Sequence, residues 1–138
     1  MQVTAYVDGS FNATTKTYGA GIVLIPEDGD VITLGNYGRV EGFVKARNVA
    51  GEVLAAATAI AICNDRENVD KLIICYDYAG IECWATGAWR ANAPISKAYL
   101  QAIKEAKFPL EFKKIKAHSG NQWNELADRL AKEACGLS

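Results

Sequence analysis

Two hydrophobic periods succeed each other along the chain. Residues 2 to 8, QVTAYVD, alternate apolar and polar side chains and are rich in β-formers, which predicts a strand ending at Asp8-Gly9-Ser10. A polar turn from Asn12 to Thr17 separates it from a second predicted strand, Gly19 to Ile25. The turn signal PEDGD at 26 to 30 precedes a third, Val31 to Val40. Three strands joined by short loops predict an antiparallel meander. The period then changes. Asn48 suits an N-cap, and behind it Val53, Leu54, Ala57, Ile60 and Ala61 recur at helical spacing. The many alanines of that helix would let it lie close against a sheet. KLIICY at 71 to 76 is a continuous apolar run, the pattern of a strand buried on both faces, and it ends at Asp77. A short helix is expected over Gly80 to Thr86, another from about Ile95 to Ala106, a fifth strand over Leu110 to Ala117 and a last helix from about Gln122 to Ala134.

Helical connections into strands four and five favour parallel pairing. The expected fold is therefore α/β: a mixed five-stranded sheet, three strands antiparallel and then two parallel, with helices on its faces. No internal repeat, linker or low-complexity tract interrupts the sequence, so residues 1–138 are expected to form a single domain. Glycines 19 and 21 in the second strand are too close together and wrongly placed for a phosphate-cradling loop; glycine within a strand signals close backbone packing.

Composition narrows the function classes. Half of the 138 residues are hydrophobic and 22% are charged, the balance of an ordinary globular protein with one core. Fifteen basic against sixteen acidic side chains exclude affinity drawn from an overall basic surface and leave room for a local patch. No apolar run approaches the roughly 18 residues of a membrane span, and the N-terminus lacks the pattern of a signal peptide. Cys63, Cys75, Cys83 and Cys135 show neither a CxxC pair nor a histidine at ligand spacing, so reduced thiols and a cytoplasmic location are expected.

The acids carry the chemistry. In open α/β sheets, ligands gather beyond the carboxyl ends of the strands. Asp8 and Asp77 end strands one and four, and if those strands are parallel neighbours the two carboxylates lie side by side. Unpaired carboxylates so close repel one another unless a cation offsets them, and hard oxygen ligands suit Mg2+ or Mn2+. Glu52 lies in the first turns of its helix, where a negative charge is also favoured by the helix dipole. In the last helix Trp123, Leu126, Ala127, Leu130, Ala131 and Ala134 form an apolar stripe, and Asn124 and Asp128 share one flank of it. That flank can reach the sheet edge. The only histidine, His118, stands in a Ser-Gly-Asn turn ten residues before Asp128. Structural roles compete with each of these: an Asp-Gly turn for Asp8, a pairing with Lys132 for Asp128.

The series YVDGS with Asp8, RNVAGEVLAA with Glu52, CYDYAG with Asp77, and AHSGNQWNELADRLA with His118 and Asp128 resembles the type 1 ribonuclease H family over nearly the whole chain. The resemblance implies a ribonuclease H-like fold and an endonuclease that cuts the RNA strand of RNA–DNA hybrids. It implies that Asp8, Glu52, Asp77 and Asp128 hold two Mg2+ ions, with Mn2+ able to substitute. One ion would activate a water and the other stabilise the leaving 3′ oxygen, giving 5′-phosphate and 3′-hydroxyl ends. His118, with an unperturbed pKa of about 6.5, would assist proton transfer or product release rather than bind metal. Family likeness puts the backbone around Gly9 and Ser10, with Asn48, near RNA sugars or groove edges, and makes Trp89 a candidate for packing on deoxyribose. A hydrophobic helix face is the competing reading for Trp84 and Trp89. Lys45, Arg47, Lys113, Lys114 and Lys116 are candidate phosphate contacts, with a solvated face as the alternative for the last three.

Three segments depart from the family pattern. Members often carry a basic helical protrusion after the Asp77-type strand; here TGAWRANAPISKAYLQ holds only two basic residues. The loop FNATTKTYG lacks the glycine-rich form of some members, and Tyr78 and Ala79 stand where polar groove-reading side chains are common. No separate hybrid-binding domain is expected within the chain, and a monomer is expected. Competing functions are a relative acting on double-stranded RNA or DNA and a non-catalytic binding module. The presence of all four acids and the histidine disfavours the second. A Ser-His-Asp hydrolase would want a nucleophile elbow such as GxSxG, which is absent.

Overall fold

The alternation of the first strand sorts its side chains onto two faces of a sheet. In the computed structural model, which describes residues 1–116 and 119–137, Val3, Ala5 and Val7 of β1 (Gln2–Asn12) are buried on one face, opposite Leu24 and Ile22 of β2 (Thr17–Pro26). β3 (Ile32–Gly38), β4 (Lys71–Tyr76) and β5 (Leu110–Lys114) complete one sheet in the order β3-β2-β1-β4-β5. β1–β2 and β2–β3 are antiparallel, and β4 runs parallel to both β1 and β5. This is the mixed sheet expected from the sequence.

Five helices accompany it: α1 (Glu41–Val44), α2 (Asn48–Asn64), α3 (Gly80–Thr86), α4 (Pro94–Glu105) and α5 (Gln122–Ala134). α2 and α5 take opposite faces, and glycines decide how close they come. A Cβ at Gly9 would fall within 3.0 Å of the α2 backbone at Asn48 and Glu52, and one at Gly51 would fall equally close to Gly19 O. On the other face, Cβ atoms at Gly19 and Gly21 would strike the carbonyls of Ala131 and Ala127 in α5. The glycines of the second strand are thus close-approach residues. The larger side chains lie on the α2 side, where Ile60, Leu72, Ile74, Ile81 and Tyr99 join the strand residues in one buried cluster. Among the described residues, no helix is long and apolar enough to cross a membrane.

The structure redraws several boundaries. β1 does not stop at Asp8; it continues to Asn12, still paired with β2, while its pairing with β4 ends at Tyr6 and Cys75. β3 is shorter than expected, and the residues after Gly38 turn into α1, a single turn too short for the periodic pattern to register. Asn48 is the first residue of α2 rather than its cap. The cap position belongs to Arg47, at φ 54 and ψ −125, with no side-chain cap bond. With Val49 N–H donating to Ala46 O at 3.0 Å, Arg47 occupies the first central position of a type II′ turn, a place where glycine is at home. By contrast, α5 is conventionally capped: Asn121 Oδ1 accepts from the N–H groups of Trp123 and Asn124 at 3.0 and 3.1 Å.

Candidate active site

Beyond Tyr6 and Cys75 the first and fourth strands part, and the gap lets carboxylates from three elements meet. Asp8 stands two residues past the last β1–β4 pair, on the face that α5 covers, because its register partner Gly21 lies under Ala127. Asp77 follows directly on β4. Glu52 arrives from the other face, and the glycine contacts of Gly9 and Gly51 are what bring its helix near enough. Oxygens of Asp8, Glu52 and Asp77 all lie within 4.8 Å of one another. Glu52 is buried, and its Oε2 accepts the Tyr78 N–H at 3.0 Å. Asp8 Oδ1 accepts the Gly9 N–H at 2.8 Å.

Asp128 lies outside that three-acid group and beside it. Its charge helps to raise the Asp8 carboxyl, while its Oδ2 is 3.0 Å from Lys132 Nζ, one turn along α5. Lys132 is the only cation that pairs with any of the four acids among the described residues. His118 lies outside the described residues.

The electrostatics follow from crowding. Burial pushes the Asp8 carboxyl up to about 7, and the charge of Asp77 adds to this more than the Gly9 amide offsets. Glu52 is held well above its ordinary range, first by desolvation and then by the neighbouring Asp77. Three carboxylates with no basic partner among them are in a costly arrangement for a bare protein. A hard divalent cation removes the cost, and an all-carboxylate donor set fits Mg2+ or Mn2+ rather than a thiophilic metal. The residues present therefore fit such an ion, with Asp8, Glu52 and Asp77 as its nearest ligands.

The other residues singled out in the sequence are spread around this cluster. Gly9 and the buried Ser10 continue β1 past Asp8, and Asn48 is exposed at the start of α2. Trp89, 42% exposed, closes an aromatic group in which its ring centroid lies 6.1 Å from both Tyr78 and Trp84. Trp84 in turn meets the buried Tyr99. Packing explains Trp84; the exposed face of Trp89 remains open to a ligand. Sequence reasoning overlooked the Tyr78 amide, since a backbone donor leaves no mark in the residue pattern. Asn124 is buried, and its Nδ2 has no hydrogen-bond partner among the described residues. Its place on the flank of α5 shared with Asp128 is legible in the sequence, but its missing partner is not.

A family model for RNase H matches residues 1–136. The chain belongs to the ribonuclease H family. Ribonuclease H of Pseudoalteromonas translucida is 30% identical over 150 residues, covering 97% of this chain and 90% of the relative. The crystal structure of RNase H1 from the archaeon Halobacterium salinarum superposes with a TM-score of 0.76 at 26% identity, covering 97% of each chain. LC11-RNase H1, solved in complex with RNA/DNA hybrid, shares the fold at TM-score 0.69 and 19% identity, over 96% of this chain and 98% of that one. Family and fold thus agree with the resemblance carried by the four acidic segments.

Proposed function

We propose that this ribonuclease H family member hydrolyses the RNA strand of RNA–DNA hybrids, with two Mg2+ ions held by Asp8, Glu52, Asp77 and Asp128 and with Mn2+ able to substitute. The observation that carries the reading is the uncompensated cluster of Asp8, Glu52 and Asp77 at the parting of β1 and β4, within a chain matched to the family over residues 1–136. Bound there, the ions would supply charge neutralisation at the scissile phosphate and ease deprotonation of the attacking water. The protein's part is to hold the acids in place. Glu52 is fixed by the Tyr78 amide and Asp8 by the Gly9 amide, so neither must reorganise when substrate arrives.

Attack of water on phosphorus, in line with the leaving 3′ oxygen, breaks the P–O3′ bond. The water's proton is passed on and the 3′ oxygen gains one, leaving a 5′-phosphate and a 3′-hydroxyl. His118, on the segment just before α5, is proposed to carry that proton or to assist product release. The backbone around Gly9 and Ser10, with Asn48, is proposed to meet RNA sugars, Trp89 the deoxyribose of the other strand, and Lys45 and Arg47 phosphates. A monomer suffices, because all four acids come from one chain, and the free thiols of all four cysteines support a reducing cytoplasm.

The test incubates the protein with labelled RNA–DNA hybrid, RNA duplex and DNA duplex, with Mg2+ or with EDTA. Metal-dependent cutting of the RNA in the hybrid alone is expected. Cutting of the RNA duplex without cutting of the hybrid would overturn the reading.

A further inference from the structure

A cluster of cations lies away from the carboxylates, at the far end of β1. The β1–β2 turn and the connection from β3 through α1 enclose a shallow cleft of about 510 Å3 that includes Lys16, Arg39 and Lys45. It continues into a second of about 300 Å3 that shares Lys16 and Lys45 and adds Arg47. Four of the chain's fifteen basic residues therefore stand on one surface, with Glu41 as the only acid lining it. All four are exposed, and none forms an ion pair among the described residues. In a chain of net charge −1 this is a deliberate concentration of positive charge.

Two of the four are held in shape at a cost. Lys16, at φ 53, and Arg47, at φ 54, are the only described non-glycine residues at positive φ. Backbone strain of this kind persists where the surrounding structure enforces it, and it gathers at binding sites. Arg39 is preorganised by its neighbours. Its Nε donates to Thr17 Oγ1 at 2.7 Å, and its guanidinium lies 5.5 Å from the Tyr37 ring centroid. The terminal nitrogens have no partner among the described hydrogen bonds, so the outer edge of the fork is free for a bidentate anion.

We infer that Lys16 and Arg39 form a distal phosphate site, continuing outward from Arg47 and Lys45 the track along which a nucleic-acid duplex lies on this surface. The inference rests on the proposed hybrid substrate and adds to it a place for the substrate's flank. By strand rise, the end of β1 at Asn12 lies about 13 Å from Asp8, roughly four base-pair steps along a duplex. The segment after α3, poor in basic residues, leaves the opposite flank with little charge. The distal cleft supplies what that segment lacks.

The experiment measures binding of a long RNA–DNA hybrid in Ca2+ across a salt series, for the intact protein and for Arg39→Gln, Lys16→Gln and Lys107→Gln. Lys107 sits by Asn64 at the opposite end of α2 and serves as the control. Loss of one phosphate contact lowers the slope of log K against log salt by about 0.9, and so costs roughly tenfold in affinity at 0.1 M salt compared with 1 M. Each distal variant is expected to show that loss, with the cleavage rate at saturating hybrid unchanged; Lys107→Gln is expected to keep both the slope and the rate of the intact protein. Slopes equal to that of the intact protein in both distal variants would overturn the inference. Should Arg39→Gln unfold, the exposed Lys16→Gln decides alone. Failure of the intact protein to cut the hybrid would instead count against the proposed function, because the binding comparison needs no cleavage.

Discussion

Gly51→Ala sets two physical effects against each other, and the structure says which wins. Gly51 lies within α2, where alanine is the better helix former by about 1 kcal/mol. On propensity alone the variant would be more stable. Yet a Cβ here would fall inside 3.0 Å of Gly19 O and reach 3.0 Å from Gly9 Cα, both of them backbone atoms that cannot swing away. Overpacking of a closed contact costs about 1–3 kcal/mol, and the upper end applies where no side chain can yield. The expected net loss is about 1–2 kcal/mol, read as a lower urea midpoint at unchanged slope. The functional effect should be larger. Relief of the clash moves α2 away from β1 by on the order of 1 Å, and Glu52 is the next residue along; a misplacement of that size costs roughly a hundredfold in rate. Cleavage of labelled hybrid in saturating Mg2+, beside the unfolding curve, measures both. A variant that is more stable by about 1 kcal/mol and cuts at the original rate would refute the claim that glycine-to-glycine contact sets the position of Glu52.

Asp8→Asn is expected to keep the fold and abolish cleavage. It should also change how the metal-free protein responds to pH. Because the Asp8 carboxyl is raised from 3.8 to about 7, its contribution to stability is complete below about pH 4 and is lost as pH rises through 7, by on the order of 1 kcal/mol per pH unit; thermal melts of the asparagine variant should lack that decline. If both proteins melt in parallel from pH 4 to 8, the crowding of the acids has been misjudged. Arg47→Gly should exceed Arg47→Ala in stability by about 1–2 kcal/mol, since alanine keeps a Cβ in the glycine region and both lose the stacking of the guanidinium on Phe11; equal midpoints would argue that the turn is unstrained. His118→Ala should slow turnover while Mn2+ still binds in calorimetry, and loss of binding would contradict a role outside the metal shell.

What the sequence made legible was whatever depends on periodicity or on the ends of strands. Alternation in QVTAYVD and the apolar run KLIICY mark two strands that end at Asp8 and Asp77, and the helical connection favours parallel pairing; that the two strands are neighbours is shown by the sheet itself. Local signals failed where a tertiary constraint overruled them. Asn48 looks like a cap, but the approach of α2 to β1 forces the chain to turn one residue earlier, at Arg47. Gly51 gives no sequence signal of its role because its partners, Gly9 and Gly19, lie more than thirty residues away. The strand predicted over Val31 to Val40 runs too far because Gly38 ends the ladder against Tyr18, a register fact invisible along one strand. The Tyr78 amide and the unpartnered Asn124 belong to the same class: backbone donors and missing partners are properties of three-dimensional neighbours.

The parting of β1 from β4 after Tyr6 has a consequence for how the surface tolerates change. From Val7 to Asn12, β1 runs on with β2 along one edge and no strand along the other. Every second N–H and C=O of that stretch points outward. A ligand held by those groups is read by the main chain, which is the same whatever side chain Ser10 carries. A small side chain in place of Ser10 should leave that main-chain contact intact so long as the strand stays extended, whereas a proline, which removes an N–H, should not. Phe11 is a separate case, because the Arg47 guanidinium stacks on its ring. Such an edge lets a protein drift far in sequence and still grip the same molecule.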